Sequence, residues 1–142
     1  MTIQITRSDY FMGRDTKYAR DLTAAIAVAA DVTIDRVNQL LLLMAQDGVP
    51  LDVSPATGSL VASGWRPPAV NGATPGAAPR SKHMTGHACD LYDPEGDLDE
   101  WCSSHLEELE RIGLWLEHPS ATKGWCHLQA LSPRSGRRVF YP

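Results

Sequence analysis

Residues 81–90 read SKHMTGHACD and residues 124–129 read GWCHLQ, and the fold turns on how these two stretches meet. His83 and Asp90 stand seven positions apart, with Gly86 between them to permit a tight turn. Such a turn brings both side chains to one point, and a strand carrying His127 supplies a third donor. Two imidazoles and one carboxylate bind zinc through nitrogen and oxygen and leave a fourth position open for water, as catalytic zinc sites do. His83, Asp90 and His127 are thus candidate metal ligands and Zn2+ the candidate cofactor, although histidine and aspartate are common and composition alone is weak evidence for a site.

Outward from this pair, GLWLEH (113–118) and GWCHLQAL (124–131) read as two strands joined by the turn-rich PSATK, a hairpin. Strand alternation points Cys89 and Cys126, each adjacent to a ligand, away from the metal and into the core. Three cysteines, Cys89, Cys102 and Cys126, with no CxxC spacing fit neither a disulfide framework nor a thiolate zinc finger. Before the hairpin, Asp97 with Glu100 resembles a capping box. It opens a helix through Leu98, Trp101, Cys102, His105, Leu109 and Ile112 that stops at Gly113. Gly58 to Ser63 reads as a short strand, and PPAVNGATPGAAP (67–79) as a long surface loop. Further upstream, Leu22, Ile26, Ala30, Ile34, Val37, Leu41 and Met44 recur at spacings of one helical face. Thr23 or Asp21 caps that helix, Gly48 and Pro50 end it, and the β-branched patch at Asp31 to Thr33 leaves open a break into two.

The chain has 142 residues, with 43% apolar and 21% charged, the composition of one ordinary globular domain spanning 1–142. Thirteen basic against 17 acidic residues give a net charge of −4, which argues against a dedicated nucleic-acid binder. The longest apolar run, Leu40 to Ala45, falls far short of the roughly 20 residues a bilayer span needs. Residues 1–15 lack a basic region followed by an apolar one and a cleavage site, so the expected place of synthesis is the cytoplasm.

Every fixed position of SKHMTGHACD matches the Ser-x-His-x-x-Gly-x-Ala-x-Asp segment of the zinc D-Ala-D-Ala carboxypeptidase and endopeptidase family, which the chain resembles. The later Trp125-Cys126-His127 matches that family's Trp-x-His. SGWRPPAVN, Ser63 to Asn71, is similar to its Ser-Gly-Tyr-Arg-x-x-x-x-Asn segment, whose Arg reaches toward the substrate carboxylate. A guanidinium holds a carboxylate bidentately, so Arg66 is the expected substrate anchor. Ser81 is expected to support the metal loop or a substrate group by hydrogen bonding. Looser likeness extends to YFMGRD near the start and PRSGRRVFYP at the end, in the manner of small phage and prophage members. Pattern and resemblance together imply an α+β domain of the hedgehog/DD-peptidase kind. Its small antiparallel sheet would carry the zinc site, with helices packed on one side.

One departure stands out. Many relatives carry an acidic residue three positions before the last His, where it moves protons; here that position is Gly124. Glu117, across the hairpin from the Gly124 neighbourhood, is the expected replacement, with Asp93 and His118 behind it. His87 is expected in a supporting or solvent role, and His105 on a helix surface. Trp65, Trp115 and Trp125 belong either to the core or to a groove for peptide stems. The resemblance implies zinc-dependent hydrolysis of peptide bonds in bacterial peptidoglycan stems, as a D,D-carboxypeptidase or endolysin-like endopeptidase. A holin or packaging into a virion would deliver it to the wall. Gly124 keeps a second reading open: a non-catalytic virion, assembly or wall-binding module that retains the zinc fold.

Overall fold

The structure, a computed structural model, describes residues 3–142. Its longest element is helix α3 (Ala24–Gln46), which is unbroken. Thr23 is the cap, its Oγ1 accepting the Ile26 N–H, while Asp21 ends a preceding 3-10 turn. The open break at Asp31–Thr33 does not occur. Thr33 is fully buried and its hydroxyl proton is shared between Ala29 O at 2.9 Å and Gly86 O at 2.7 Å, so it anchors the helix to the loop that carries His83. Two short helices come first: α1 (Arg7–Phe11), closed by a Thr6–Asp9 capping box, and α2 (Arg14–Lys17).

Five strands form one sheet in the order β1-β2-β4-β3-β5. They are β1 (Val61–Ser63), β2 (Ala88–Asp93), β3 (Trp115–Glu117), β4 (Gly124–Gln129) and β5 (Val139–Phe140). The β3–β4 hairpin forms with Leu116 opposite Leu128, and β2 lies antiparallel to β4 with Asp90 opposite His127. The sheet is mixed, which corrects the antiparallel expectation. β5 runs parallel to β3, covering an edge whose N–H groups would otherwise stay open: Leu116 donates to Arg138 O and His118 to Phe140 O. β1 is also shorter than the expected Gly58–Ser63.

Two further expectations are corrected. Within 67–79, residues Pro68–Ala73 form helix α4, begun by a proline whose fixed φ suits a first helical position. The stretch after Asp97 is two helices, α5 (Asp97–Ser103) and α6 (Leu106–Ile112). His105 makes the break: its ring stacks on Trp101 at 3.9 Å and its Nδ1 meets Trp101 O at 2.6 Å, while its own N–H turns to Cys102 O. The Asp97–Glu100 box is absent as well. Asp93, at the end of β2, instead accepts the N–H groups of Leu98 and Asp99, one on each carboxylate oxygen.

Alternation along the strands sorts the sheet into two faces. Cys89, Leu91, Leu116, Cys126 and Leu128 join Ala30, Ile34, Val37, Leu41, Leu98, Cys102 and Leu109 in one buried apolar cluster, so α3, α5 and α6 cover that face. Asp90, His127 and Gln129 occupy the other. Among the described residues no helix is long and apolar enough to cross a membrane.

Candidate metal centre

His83, Asp90 and His127 are buried together with their donor atoms within 4.8 Å of one another, a group that could hold a metal ion. Asp90 and His127 are cross-strand neighbours, so the β2–β4 register alone delivers two of the three. His83 arrives from the turn before β2. There Met84 N–H bonds Ser81 O, Gly86 N–H bonds His83 O, and the Ser81 hydroxyl accepts the His83 N–H at 3.2 Å. Ser81 thus holds the loop. Gly86 is required twice over: its φ is +81°, and a Cβ would lie 2.8 Å from Ile26 O of α3.

The donor set passes a direct test of fit. His83 Nδ1 lies 2.8 Å from the Gly64 carbonyl, an acceptor only, so Nδ1 carries the proton and Nε2 presents its lone pair. That Nε2 is fully buried, has no hydrogen-bond partner and stands 3.2 Å from Asp90 Oδ2. His127 Nδ1 stands 2.8 Å from Asp90 Oδ1. Ligands bound to one tetrahedral zinc at about 2.0–2.1 Å sit about 3.4 Å apart; the His83–Asp90 spacing is close to that, while the His127–Asp90 spacing is that of a hydrogen bond and would widen around an ion. A buried lone pair facing a carboxylate is costly until a cation lies between them. Gly64 packs against α1 only because it has no side chain; a Cβ there would meet Tyr10 O at 1.9 Å.

The electrostatics follow from the same contacts. Burial alone would raise the Asp90 carboxyl, but the two histidines outweigh it and hold the group well below the usual carboxylate range. Burial pulls His83 down. Burial also opposes charge on His127, yet its hydrogen bond to Asp90 and the Asp90 charge carry it above the ordinary imidazole value.

Arg66 lies beside this centre. Only 8% exposed, it donates Nε–H to Ser63 Oγ, one Nη1–H to Asn71 Oδ1 and one Nη2–H to Asp90 Oδ2 at 3.4 Å. Three of its five N–H donors are engaged, which leaves two for another acceptor. Asn71, held by α4 and donating to Ala78 O, fixes the guanidinium from the far side.

The β3–β4 register, with Leu116 opposite Leu128, sets Glu117 beside His127 rather than beside the Gly124 neighbourhood. Glu117 is half-buried; burial raises its pKa, the His127 and Arg66 charges oppose the rise and Asp90 adds to it, so it belongs to the same electrostatic cluster. Asp93 does not, because both its oxygens cap α5. His118 caps the 3-10 turn Pro119–Ala121, with its ring stacked on Tyr141. His87 is outside the ligand group and bonds Thr85 Oγ1. Trp65 is core, packed edge-on against Phe11 with its indole N–H on Met84 O, and so cannot line a groove. Trp125, 36% exposed, pairs with Tyr92 on the metal face. Sequence reasoning missed the Gly64 carbonyl and Gln129, whose Oε1 is 3.1 Å from His127 Nε2. The period-two spacing of 127 and 129 was the available signal for Gln129; a backbone carbonyl leaves none. All three cysteines are free and buried.

A scan against protein-family models and searches of curated proteins and of solved structures each found no match.

Proposed function

We propose that this chain is a zinc-dependent peptidase that hydrolyses peptide bonds in the stem peptides of bacterial peptidoglycan. The observation that carries the reading is one sheet face on which a His-Asp-His donor set, a buried arginine and a half-buried glutamate stand together. A structural zinc site has no need of the last two. The match of SKHMTGHACD and SGWRPPAVN to the D-Ala-D-Ala peptidase segments supplies the substrate class.

His83, Asp90 and His127 would hold the metal, which when bound polarises a carbonyl and makes water a nucleophile at neutral pH. Glu117 takes up and returns a proton beside His127, a task aided by the burial that raises its pKa. Arg66 receives a carboxylate of the peptide on its two free donors, and its bonds to Ser63 and Asn71 keep the guanidinium from swinging away. Action on the wall follows release or carriage in a virion, in the manner of an endolysin.

Gly124 favours a second reading, in which the same centre serves a non-catalytic virion or wall-binding module. Incubation of the purified protein with defined stem peptides and muropeptides, with and without a chelator, separates the two. Mass spectrometry should detect release of D-Ala or an internal cut that the chelator abolishes. No cleavage by fully zinc-loaded protein would overturn the peptidase.

A further inference from the structure

Gln129 sits at the end of β4, 3% exposed, two residues beyond His127 and on the same face. Its amide is oriented without ambiguity. The Nε2 group is 2.8 Å from the Leu131 carbonyl, which can only accept, so the NH2 end points there and Oε1 points back at His127. Oε1 also only accepts, and it lies 3.1 Å from His127 Nε2, so that nitrogen must carry a proton. Nδ1 lies 2.8 Å from Asp90 Oδ1 and donates a proton there in the metal-free protein; a cation between Nδ1 and Asp90 would displace that proton and leave His127 neutral, with its remaining proton on Nε2 facing Gln129.

We propose that Gln129 is the positioning residue of the metal centre: it holds the His127 proton on Nε2 and thereby makes Nδ1 the donor to the metal. The inference rests on the metal-binding reading of the site and extends it to a residue that touches no metal. The two histidines thus reach the ion in opposite senses, His83 through Nε2 with its proton on the Gly64 carbonyl, His127 through Nδ1 with its proton on Gln129. The difference has a consequence for mutation. The partner of His83 is a backbone carbonyl, which no side-chain truncation removes, whereas the partner of His127 is a side chain and can be removed.

The test uses the whole chain and zinc ion alone. Nitrogen-15 NMR of the zinc-loaded wild type should show His127 protonated on Nε2 and bound through Nδ1. Competition against a chelating dye should show zinc affinity lowered about 10–100-fold in Gln129→Met, which keeps the length and loses the acceptor. Gln129→Glu, which keeps the acceptor, should restore wild-type affinity or better. A His127 protonated on Nδ1, or a Gln129→Met that binds zinc as tightly as wild type, would overturn the assignment. So would equal losses in the Met and Glu variants, which would reduce the residue to packing. The NMR result decides even if a variant fails to fold. A wild type that takes up no zinc would overturn the metal reading and this inference together, whereas failure of the Gln129 arm alone leaves the metal reading standing.

Discussion

The two faces of β2 and β4 obey different rules although their residues alternate along the same backbone. On the helix side, Cys89, Leu91, Cys126 and Leu128 are interchangeable in kind, each contributing apolar area to a shared core. On the other side, Asp90 and His127 work only as a pair in register. Two carboxylates make the contrast quantitative. Asp90, on the polar face, has Arg66, His83 and His127 around it and is held well below the usual range. Asp99, on α5 against the apolar side, is 5% exposed with Thr122 donating to one oxygen; burial dominates and its pKa is pushed up to about 6. The lesson is that burial pushes both carboxyls up, and only partners of opposite charge reverse the sign.

The largest effect should come from Asp90→Ala, which removes the charge shared by two histidines and an arginine. An uncompensated buried guanidinium typically costs about 3–5 kcal/mol. Metal analysis and urea unfolding should show loss of both stoichiometric metal and stability; a variant that keeps its metal would mean that Asp90 is no ligand. Glu117→Gln should lower turnover by about 10²–10⁴-fold while metal content and unfolding midpoint stay at wild type. Unchanged turnover would move the search for the base away from this side chain.

Leu128→Ala probes the opposite face. Truncation of a fully buried leucine should cost about 2–5 kcal/mol, read from urea unfolding, yet the folded fraction should bind metal with unchanged stoichiometry. Loss of metal from the folded fraction would show that the two faces are coupled. The smallest effect should be that of Asp99→Asn. A carboxyl whose folded pKa lies above its unfolded value gives stability that is present below pH about 3.8 and is lost as pH rises through about 6. The neutral variant should therefore match wild type near pH 3.5 and exceed it above pH 7, by about 1 kcal/mol once solvent screening is allowed for. A gain at low pH would reverse the assignment.

The long helix α3, the β3–β4 hairpin and the three candidate ligands were legible in the chain because each is encoded locally: a 3.6-residue apolar period, a turn-rich PSATK, a complete short motif. Where the reading failed, a contact that apolar periodicity does not encode had intervened. His105 breaks a continuous helical pattern by stacking on Trp101, and Asp93 displaces a plausible capping box because β2 ends directly over the start of α5. The 67–79 stretch yields a helix because Asn71 finds Arg66 and Ala78 to hold it. β5 reaches β3 only when the chain has folded back on itself.

By itself, then, the sequence determined which residues carry metal-binding chemistry and the periods of the main elements, since residue type and spacing are properties of neighbours along the chain. Tertiary structure alone decided that Glu117 stands beside His127, that Arg66 leans on Asp90, that the Gly64 carbonyl faces His83 Nδ1 and that Gln129 Oε1 faces His127 Nε2. Those outcomes depend on strand register and on hydrogen-bond direction, which residue type and spacing do not specify and the packed sheet supplies.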